Sequence, residues 1–262
     1  SKCTDTSYWS LSTGNPQIAT VGSATELAPN GQNEALLMND NSSGAGTAYC
    51  YFNKNLTLTA AGDYIWSCYV KRDTTANNDA DWIYCNFAGF AGSTPAGVVR
   101  FDWNTNDWLA GDKTSFGDRL FPPVDVGNGW YRIAIRYTID SGDLIGAFRF
   151  GLANSDNGNP TKVTKLGYNG GLFWGAQLEK GSFPTSYIPT SGSTYQRKAD
   201  EAEITGTNFS SWYNQSEGTV QVKYSSPTDT SSAYKRLVSI SDSSQNTMSA
   251  NNGFLYGSHS PS

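Results

Sequence analysis

The longest alternating run in the sequence lies between Trp130 and Ile139, and it strongly limits what this chain can fold into. Apolar side chains occupy every second position of the run: Tyr131, Ile133, Ile135, Tyr137 and Ile139. The positions between them include Arg132 and Arg136. Successive side chains of a β-strand point to opposite faces, so this period of two predicts a strand with one face in a core and one mixed face.

Other segments show the same period or a similar composition. Between Tyr64 and Lys71, one face carries Tyr64, Trp66, Cys68 and Val70. Aromatic and β-branched residues also favour strands over residues 47–52, 56–59, 82–87, 97–103, near 108, and over 147–153 and 172–179. Polar turn residues separate these segments, for example at 104–107 and 127–129. About eight to ten short strands before residue 190 predict an all-β fold, an antiparallel two-sheet sandwich of jelly-roll type.

The stretch from Leu172 to Gly192 predicts the end of this sandwich. Its first half is a strand whose predicted single face carries Leu172, Trp174, Ala176 and Leu178. Gln177 and Glu179 fall on the opposite face. Breakers of regular structure then recur along the chain: Gly181, Pro184, Pro189 and Gly192. The stretch therefore predicts a closing strand followed by a domain boundary.

Beyond the boundary the strand-like composition returns. We predict a β-sandwich over residues 1–190, a linker over 191–201 and an incomplete second β domain over 202–262. Strand segments of this second domain are expected at 202–205, 218–224, 236–240 and 254–256. These are too few to close a sandwich around a stable core. Either the segment pairs with the first domain or with another subunit, or, as we expect, the chain is part of a longer protein.

Charge and hydropathy exclude two classes of partner. The chain has 18 basic and 23 acidic residues, a net charge of -5, and no basic stripe. Nucleic-acid binding requires a surface that neutralises phosphates, so we expect none. No uninterrupted apolar run is long enough to cross a bilayer, so we expect no membrane span.

Cysteine and histidine usage limits the chemistry further. Cys50, Cys68 and Cys85 each lie in an aromatic, strand-like run, and with Cys3 they match no paired CxxC zinc pattern. We expect these strand cysteines to be small buried hydrophobic residues; the alternative is a disulfide between neighbouring strands. The single histidine, His259, lies in a Ser-rich tail. A His-based triad or a His-ligated catalytic metal is therefore not expected.

The segment from residue 81 to 108 has the highest density of residues suited to sugar binding. Sugar rings pack on flat aromatic faces, and their hydroxyls bond to Asn, Asp, Gln and Arg side chains. The predicted carbohydrate-binding residues are Trp82, Tyr84, Asn86, Arg100, Asp102, Trp103 and Trp108. The first three share one strand face, and Arg100 and Asp102 share another.

The alternative is that these aromatic residues belong to the core of the sandwich, as sandwich cores commonly contain Trp and Tyr. We expect that packing role for Trp66, Trp130 and Trp174, since each belongs to a strongly periodic strand.

The sequence predicts neither a glycosidase site nor a dedicated calcium loop. A glycosidase needs two carboxylates facing a cleft, and Asp81, Asp102 and Asp107 lie in the aromatic segment. Asp is typical of turns, so we expect turn roles for these residues and no catalytic residues. Oxygen donors for a structural calcium ion exist at Asp63, Glu179 and residues 77–79, but their spacing resembles no dedicated calcium loop. We expect no cofactor, with a structural calcium ion as the alternative.

Three stretches together resemble modules of tailed-phage virion proteins. They are NGWYR at residues 128–132, LFWGAQLE at 172–179 with FPTSYIPT at 183–190, and AEITGTNFSSWYNQSEG at 202–218. In such tail-fibre and tail-spike proteins, a carbohydrate-binding-module-like β-sandwich is followed by a laminin-G or concanavalin-A-like lectin domain. The resemblance covers the back half of the first predicted domain and the entrance to the second.

The resemblance implies a non-catalytic virion component, a tail fibre or an attached appendage. Its partners would be a host cell-surface glycan and other virion proteins, and it would assemble as a homo-oligomer, specifically a trimer. Two alternatives remain open. The chain could be a purely structural virion or decoration protein, or it could be a polysaccharide depolymerase.

Overall fold

The computed structural model describes most of the chain. The described residues are 9–11, 16–20, 26–40, 46–74, 80–90, 97–154, 159–164, 170–190, 193–197, 205–214, 235–239, 247–251 and 254–258. The chain divides into two compact units, Ser1–Tyr195 and Gln196–Ser262. That division falls within the predicted linker 191–201.

The first unit consists of two antiparallel β-sheets. The front sheet has the strand order β1 (Ser10–Leu11), β4 (Thr47–Thr57), β11 (Ile145–Ala153), β6 (Trp82–Ala88), β7 (Val98–Asp102) and β8 (Asp107–Trp108), with β12 (Lys162–Thr164) also paired to β4. The back sheet has the order β2 (Pro16–Thr20), β3 (Leu36–Asp40), β13 (Gly170–Lys180), β5 (Gly62–Arg72), β10 (Trp130–Ile139) and β9 (Leu120–Gly127). Between β8 and β9 lie helix α1 (Ala110–Phe116) and a 3-10 turn (Gly117–Arg119).

The pairing of the strands is that of a jelly roll. Four antiparallel pairs are nested one inside another along the chain: β6 with β7, β5 with β10, β4 with β11, and β3 with β13. Successive pairs alternate between the front and the back sheet. A long hairpin rolled in this way produces two facing sheets with crossing connections. The predicted all-β, two-sheet antiparallel jelly-roll sandwich is confirmed.

Aromatic rings from both sheets fill the space between them. The Trp66 ring of the back sheet lies 4.6 Å from the Phe148 ring and 5.4 Å from the Phe150 ring of the front sheet, measured between centroids. The Phe87 and Tyr137 rings stack at 4.0 Å. All alternate apolar residues of β5 from Tyr64 to Val70 belong to this core, as the alternation predicts. The core side of β10 is also as predicted, with Tyr131 packed at its margin.

A bulge in β13 corrects one prediction. The residues expected on a single face were Leu172, Trp174, Ala176 and Leu178. Between Trp174 and Gln177, however, β13 carries one residue more than the facing stretch of β5. Gly175 adopts a φ of +61°, the left-handed conformation that glycine tolerates at a bulge. Leu172 and Trp174, before the bulge, therefore pack on the outer side with Trp130, whereas Ala176 and Leu178, after it, reach the core.

The three cysteines within the described residues are free, buried thiols. Cys50, Cys68 and Cys85 are at most 1% exposed and form no disulfide. Their predicted role as small buried hydrophobic residues is confirmed. Burial raises the pKa of the Cys50 and Cys85 thiols well above the ordinary value, since the thiolate would lose its hydration. Cys3 lies outside the described residues.

The second unit contains a short helix and a small sheet. Helix α2 (Thr207–Ser210) is a single turn, followed by the exposed ring of Trp212. Strands β14 (Lys235–Ser239), β15 (Thr247–Asn251) and β16 (Phe254–Ser258) form an antiparallel sheet in that order. The predicted segments at 236–240 and 254–256 overlap β14 and β16; the segment at 218–224 and most of 202–205 lie outside the described residues. The lectin-like assignment of this unit stays a prediction.

The helices of the described residues can be compared with the length and apolar character of a membrane span. Among these residues, no helix combines the length and the apolar character needed to cross a bilayer.

Candidate functional site

The outer face of the front sheet brings most of the predicted site residues together. In the register of β6 and β7, Trp82 lies opposite Asp102 and Tyr84 lies opposite Arg100. The intervening residues of β6 point into the core. Trp82, Tyr84 and Asn86 therefore share the outer face, and the two strand faces predicted separately form one continuous surface.

Trp103 and Trp108 do not belong to that surface. Their side chains are 5% and 3% exposed, and both pack edge-on against the Phe101 ring in the core. The Trp108 indole Nε1 donates a hydrogen bond to the Phe121 carbonyl at 2.7 Å. The prediction of a ligand contact from these two rings is therefore corrected: a buried ring offers no face to a sugar, and both residues serve packing.

Arg100 is bound to a buried carboxylate of helix α1. Its Nε and Nη2 donate to the two Asp112 oxygens at 3.1 and 2.8 Å, and its backbone N–H donates to the same group at 2.8 Å. Asp112 is 5% exposed, so this bidentate pair satisfies a charge that would otherwise be buried alone. The Arg100 guanidinium also lies 5.1 Å from the Trp82 ring centroid and covers that ring. Arg100 therefore joins α1 to the sheet.

Asp102 and Asp107 adopt turn roles. The Asp102 carboxylate accepts a hydrogen bond from the Asn104 backbone N–H at 2.8 Å. Asp107 accepts from the Trp108 backbone N–H at 2.7 Å and pairs with Lys113 at 2.6 Å. The hydrogen bond from the Lys113 ammonium lowers the pKa of Asp107, with the Trp108 N–H and the positive charge adding to the effect.

A pocket opens on the same outer face, on the side of β4 and β11. It has a volume of about 330 Å³, and its lining residues are Tyr49, Tyr51, Tyr84, Asn86, Arg149 and Thr161. Tyr84 and Asn86 are among the predicted site residues, although the Tyr84 ring is 1% exposed and, like the rings of Trp103 and Trp108, offers no open face to a sugar. The other four were missed by the sequence analysis. For Tyr49, Tyr51 and Arg149 the signal is a polar or aromatic residue between two inward-facing ones, as Arg149 lies between Phe148 and Phe150. Thr161 lies in a turn before β12 and carries no such signal.

Gly151 separates two of the pocket tyrosines. It lies on β11 between Tyr51 of β4 and Tyr84 of β6 in the strand register. A Cβ atom at this position would come within 2.1 Å of the Cys50 carbonyl oxygen and 2.7 Å of Tyr51. The absent side chain lets the Tyr51 and Tyr84 rings approach to 6.5 Å between centroids. Burial raises the pKa of the Tyr84 phenol, which therefore remains a neutral hydroxyl.

Cations lie against the tyrosine rings of the pocket. The Arg149 guanidinium is 5.3 Å from the Tyr51 ring centroid, and the Lys162 ammonium is 4.8 Å from that of Tyr49. The Arg149 Nε donates to the Asn53 Oδ1 at 3.0 Å. The Asn86 Oδ1 is buried and accepts no hydrogen bond within the described structure. The pocket therefore combines aromatic surface, positive charge and an unsatisfied acceptor.

The oxygen donors considered for calcium are engaged by protein groups. Asp63 accepts a hydrogen bond from the Thr138 hydroxyl at 2.7 Å, and Glu179 accepts from the Thr185 N–H at 2.8 Å. Residues 77–79 lie outside the described residues. Among the described residues, no group of three His, Cys, Asp or Glu side chains is arranged to hold a metal ion.

The residues that carry the sequence resemblance form a separate cluster on the back sheet. We call Arg132, Gln177 and Glu179 the clamp, and residues 183–190 the exit segment. Arg132 donates to the Thr185 carbonyl and, at 3.1 Å, to the Ser67 hydroxyl. Glu179 accepts from both the N–H and the hydroxyl of Thr185.

Further contacts extend this attachment along the exit segment. The Gln177 Oε1 accepts from the Ile188 N–H at 2.9 Å, and the Gln177 amide donates to Glu179 at 3.1 Å. The Tyr187 ring packs 4.7 Å from that of Trp174. The bulge at Gly175 places Trp174 and the clamp glutamine on the same outer side. The resemblance motif is therefore a structural device that binds the exit segment to the sandwich.

Comparison with known proteins returned little. No protein-family model matches the chain, and no curated protein matches it. Among solved structures, the chain is similar to the enzymatically active domain of tailspike protein 4 of bacteriophage CBA120, with a TM-score of 0.34 and 12% sequence identity. The match covers 66% of this chain and 19% of that chain, so this chain spans only a small part of that protein. At this TM-score the likeness supports no conclusion about fold or function.

Proposed function

We propose that this chain is a non-catalytic component of a phage virion, in a tail fibre or an attached appendage, that contributes to host attachment by binding surface glycan. The observation that carries the glycan-binding part is the tyrosine-lined pocket on the outer face of the front sheet. The assignment to a phage virion rests on the three sequence stretches that resemble tailed-phage proteins.

The composition of the pocket supports sugar binding. Tyr49 is 44% exposed, and its ring and that of Tyr51 meet edge-on at 6.0 Å, which presents aromatic surface next to polar groups. Asn86 and Arg149 supply an acceptor and donors for hydroxyl groups. A volume of about 330 Å³ is at the small end of ligand pockets and suits a single sugar unit. Repetition of a weak site in a trimer would raise the avidity on a host surface.

The carboxylates near the pocket support a binding role over a catalytic one. Hydrolysis of a glycosidic bond needs two carboxyl groups on either side of that bond. None of the described lining residues is Asp or Glu. On the same face, Asp102 is held in a turn, and the Asp112 carboxylate beneath Arg100 is fully paired.

The test is binding of the purified chain to host cells and to a glycan array. Tyr51→Ala and Asn86→Ala should each weaken binding by about tenfold, with an unchanged near-UV circular dichroism spectrum. Tyr195→Ala is the matched control, since Tyr195 is 62% exposed and does not line the pocket. Shortened oligosaccharides after incubation with host polysaccharide would indicate the depolymerase instead. Absence of any binding to cells or glycans would favour the structural role.

A further inference from the structure

We infer that the glycan bound in this pocket is an acidic saccharide, whose carboxylate pairs with the guanidinium of Arg149. The inference rests on the proposed function and specifies its ligand class. Three arginines of the sandwich, Arg100, Arg136 and Arg149, differ in their partners. Arg100 is paired with Asp112 and Arg136 is paired with Asp118, both at less than 3 Å. Arg149 has no carboxylate partner among the described residues.

The two terminal nitrogens of Arg149 remain available to a ligand. Its Nε is bound to Asn53, and its guanidinium is set against the Tyr51 ring, so the plane of the group is fixed. Neither Nη atom makes a hydrogen bond within the described structure. A fixed guanidinium with free N–H groups matches a carboxylate through two parallel hydrogen bonds. Little side-chain freedom would be lost when such a pair forms.

The surroundings of Arg149 favour an anion over a neutral sugar. The neighbouring Lys162 ammonium, against the Tyr49 ring, adds a second positive charge. None of the described lining residues is Asp or Glu, so no lining carboxylate neutralises Arg149. The whole chain has a net charge of -5, so the positive charge of Arg149 in the pocket lining differs in sign from the chain as a whole. A bound carboxylate would compensate a partly desolvated cation, which neutral hydroxyl groups do only weakly.

The remaining polar groups point to a saccharide as the carrier of that carboxylate. The buried Oδ1 of Asn86 accepts no hydrogen bond within the described residues and needs a donor. A sugar hydroxyl is such a donor, whereas a simple inorganic anion is not. The ring of Tyr49, which lines the pocket and is 44% exposed, would contact the apolar face of the sugar ring. A sugar acid would therefore pair with the Arg149 guanidinium, donate a hydrogen bond to Asn86 and pack on the aromatic surface at the same time.

Affinity gel electrophoresis of the whole chain tests this inference. The acidic probes are alginate, polygalacturonate, hyaluronan and polysialic acid; the neutral probes are dextran, galactomannan and mixed-linkage glucan. The polysaccharide that retards the chain most is run again after chemical reduction of its carboxyl groups to alcohols. Arg149→Gln removes the proposed contact. Arg149→Lys keeps the positive charge but cannot make two parallel hydrogen bonds to a carboxylate. Arg136→Gln is the control for loss of a positive charge on the other sheet.

We expect retardation by at least one acidic polysaccharide, which carboxyl reduction abolishes. Arg149→Gln should weaken it by at least about tenfold, Arg149→Lys by less, and Arg136→Gln not at all. Equal retardation by the reduced polymer, retardation by neutral polymers alone, or unchanged binding of Arg149→Gln would overturn the acidic ligand and leave the proposed function standing. No retardation by any polysaccharide, together with no binding to host cells, would overturn the proposed function itself.

Discussion

Replacement of Glu179 by alanine should release the exit segment from the back sheet while the jelly roll stays folded. The Glu179 carboxylate accepts three hydrogen bonds, two from Thr185 and one from the Gln177 side-chain amide. The variant loses all three and also loses the group that orients Gln177. Arg132 loses its Thr185 partner when the segment leaves, but its guanidinium is then exposed to water. No unpaired charge is therefore buried in the variant.

The size of the effect follows from those contacts. A hydrogen bond contributes about 1 kcal/mol net, and more when one partner is charged. Glu179 is half-buried, which reduces this value through competition with water. We take a total of about 2 kcal/mol for the three bonds. Their loss lowers the free energy of opening the segment by that amount, which corresponds to about a 30-fold faster hydrogen exchange.

The Ile188 amide is the most informative probe of this opening. Its own acceptor, Gln177 Oε1, is still present in the Glu179→Ala variant, so faster exchange there reports release of the whole segment. Thr185→Val removes the hydroxyl donor and should accelerate exchange less than Glu179→Ala does. Thr185→Ser keeps both the N–H and the hydroxyl donor, so its exchange should match that of the native chain. Unchanged Ile188 exchange in Glu179→Ala would refute the idea that the clamp holds the segment.

Three other predictions concern the sandwich itself. Gly151→Ala should destabilise it by at least about 3 kcal/mol, because the new methyl group meets the backbone of β4, whereas Gly142→Ala, in open space, should leave the melting temperature unchanged. Trp103→Ala should lower the free energy of unfolding by about 3–5 kcal/mol in urea titrations, as expected for a core ring. Above about pH 8.5 the thiols of Cys50 and Cys85 ionise only in the unfolded chain, because burial raises their folded pKa. The free energy of unfolding should therefore fall as pH rises above that value, and a flat profile from urea titrations at successive pH values would contradict the assignment.

The sequence predicts the strands and most of their faces because a period of two is visible wherever one face is buried. In β5 and β10 the alternation continues without interruption, and the buried sides agree with the core of the structure. In β13 it fails, since Trp174 and Leu178 are both apolar and the bulge at Gly175 separates their faces. A glycine inside a strand indicates a bulge, but the face reversal depends on the pairing with β5.

The candidate site was only partly predictable for a different reason. Trp82, Tyr84 and Asn86 are close in sequence, so their common face follows from one strand. Arg149 and Tyr51 reach the same pocket from strands that are distant along the chain, and only the order of strands in the sheet brings them together. Trp103 lies within the same aromatic segment as Trp82, but it follows β7 and turns into the core. Composition alone does not distinguish these positions.

The clamp and the pocket lie on different sheets of the sandwich. The residues that carry the phage resemblance, Arg132, Gln177 and Glu179, lie on the back sheet, where they hold the exit segment. The pocket that includes Tyr51 and Arg149 lies on the outer face of the front sheet. Substitutions at sites without shared partners act independently, so substitutions in the pocket should not loosen the clamp. The clamp therefore reports how the exit segment is attached to the sandwich, and the proposed glycan site has to be tested on the opposite sheet.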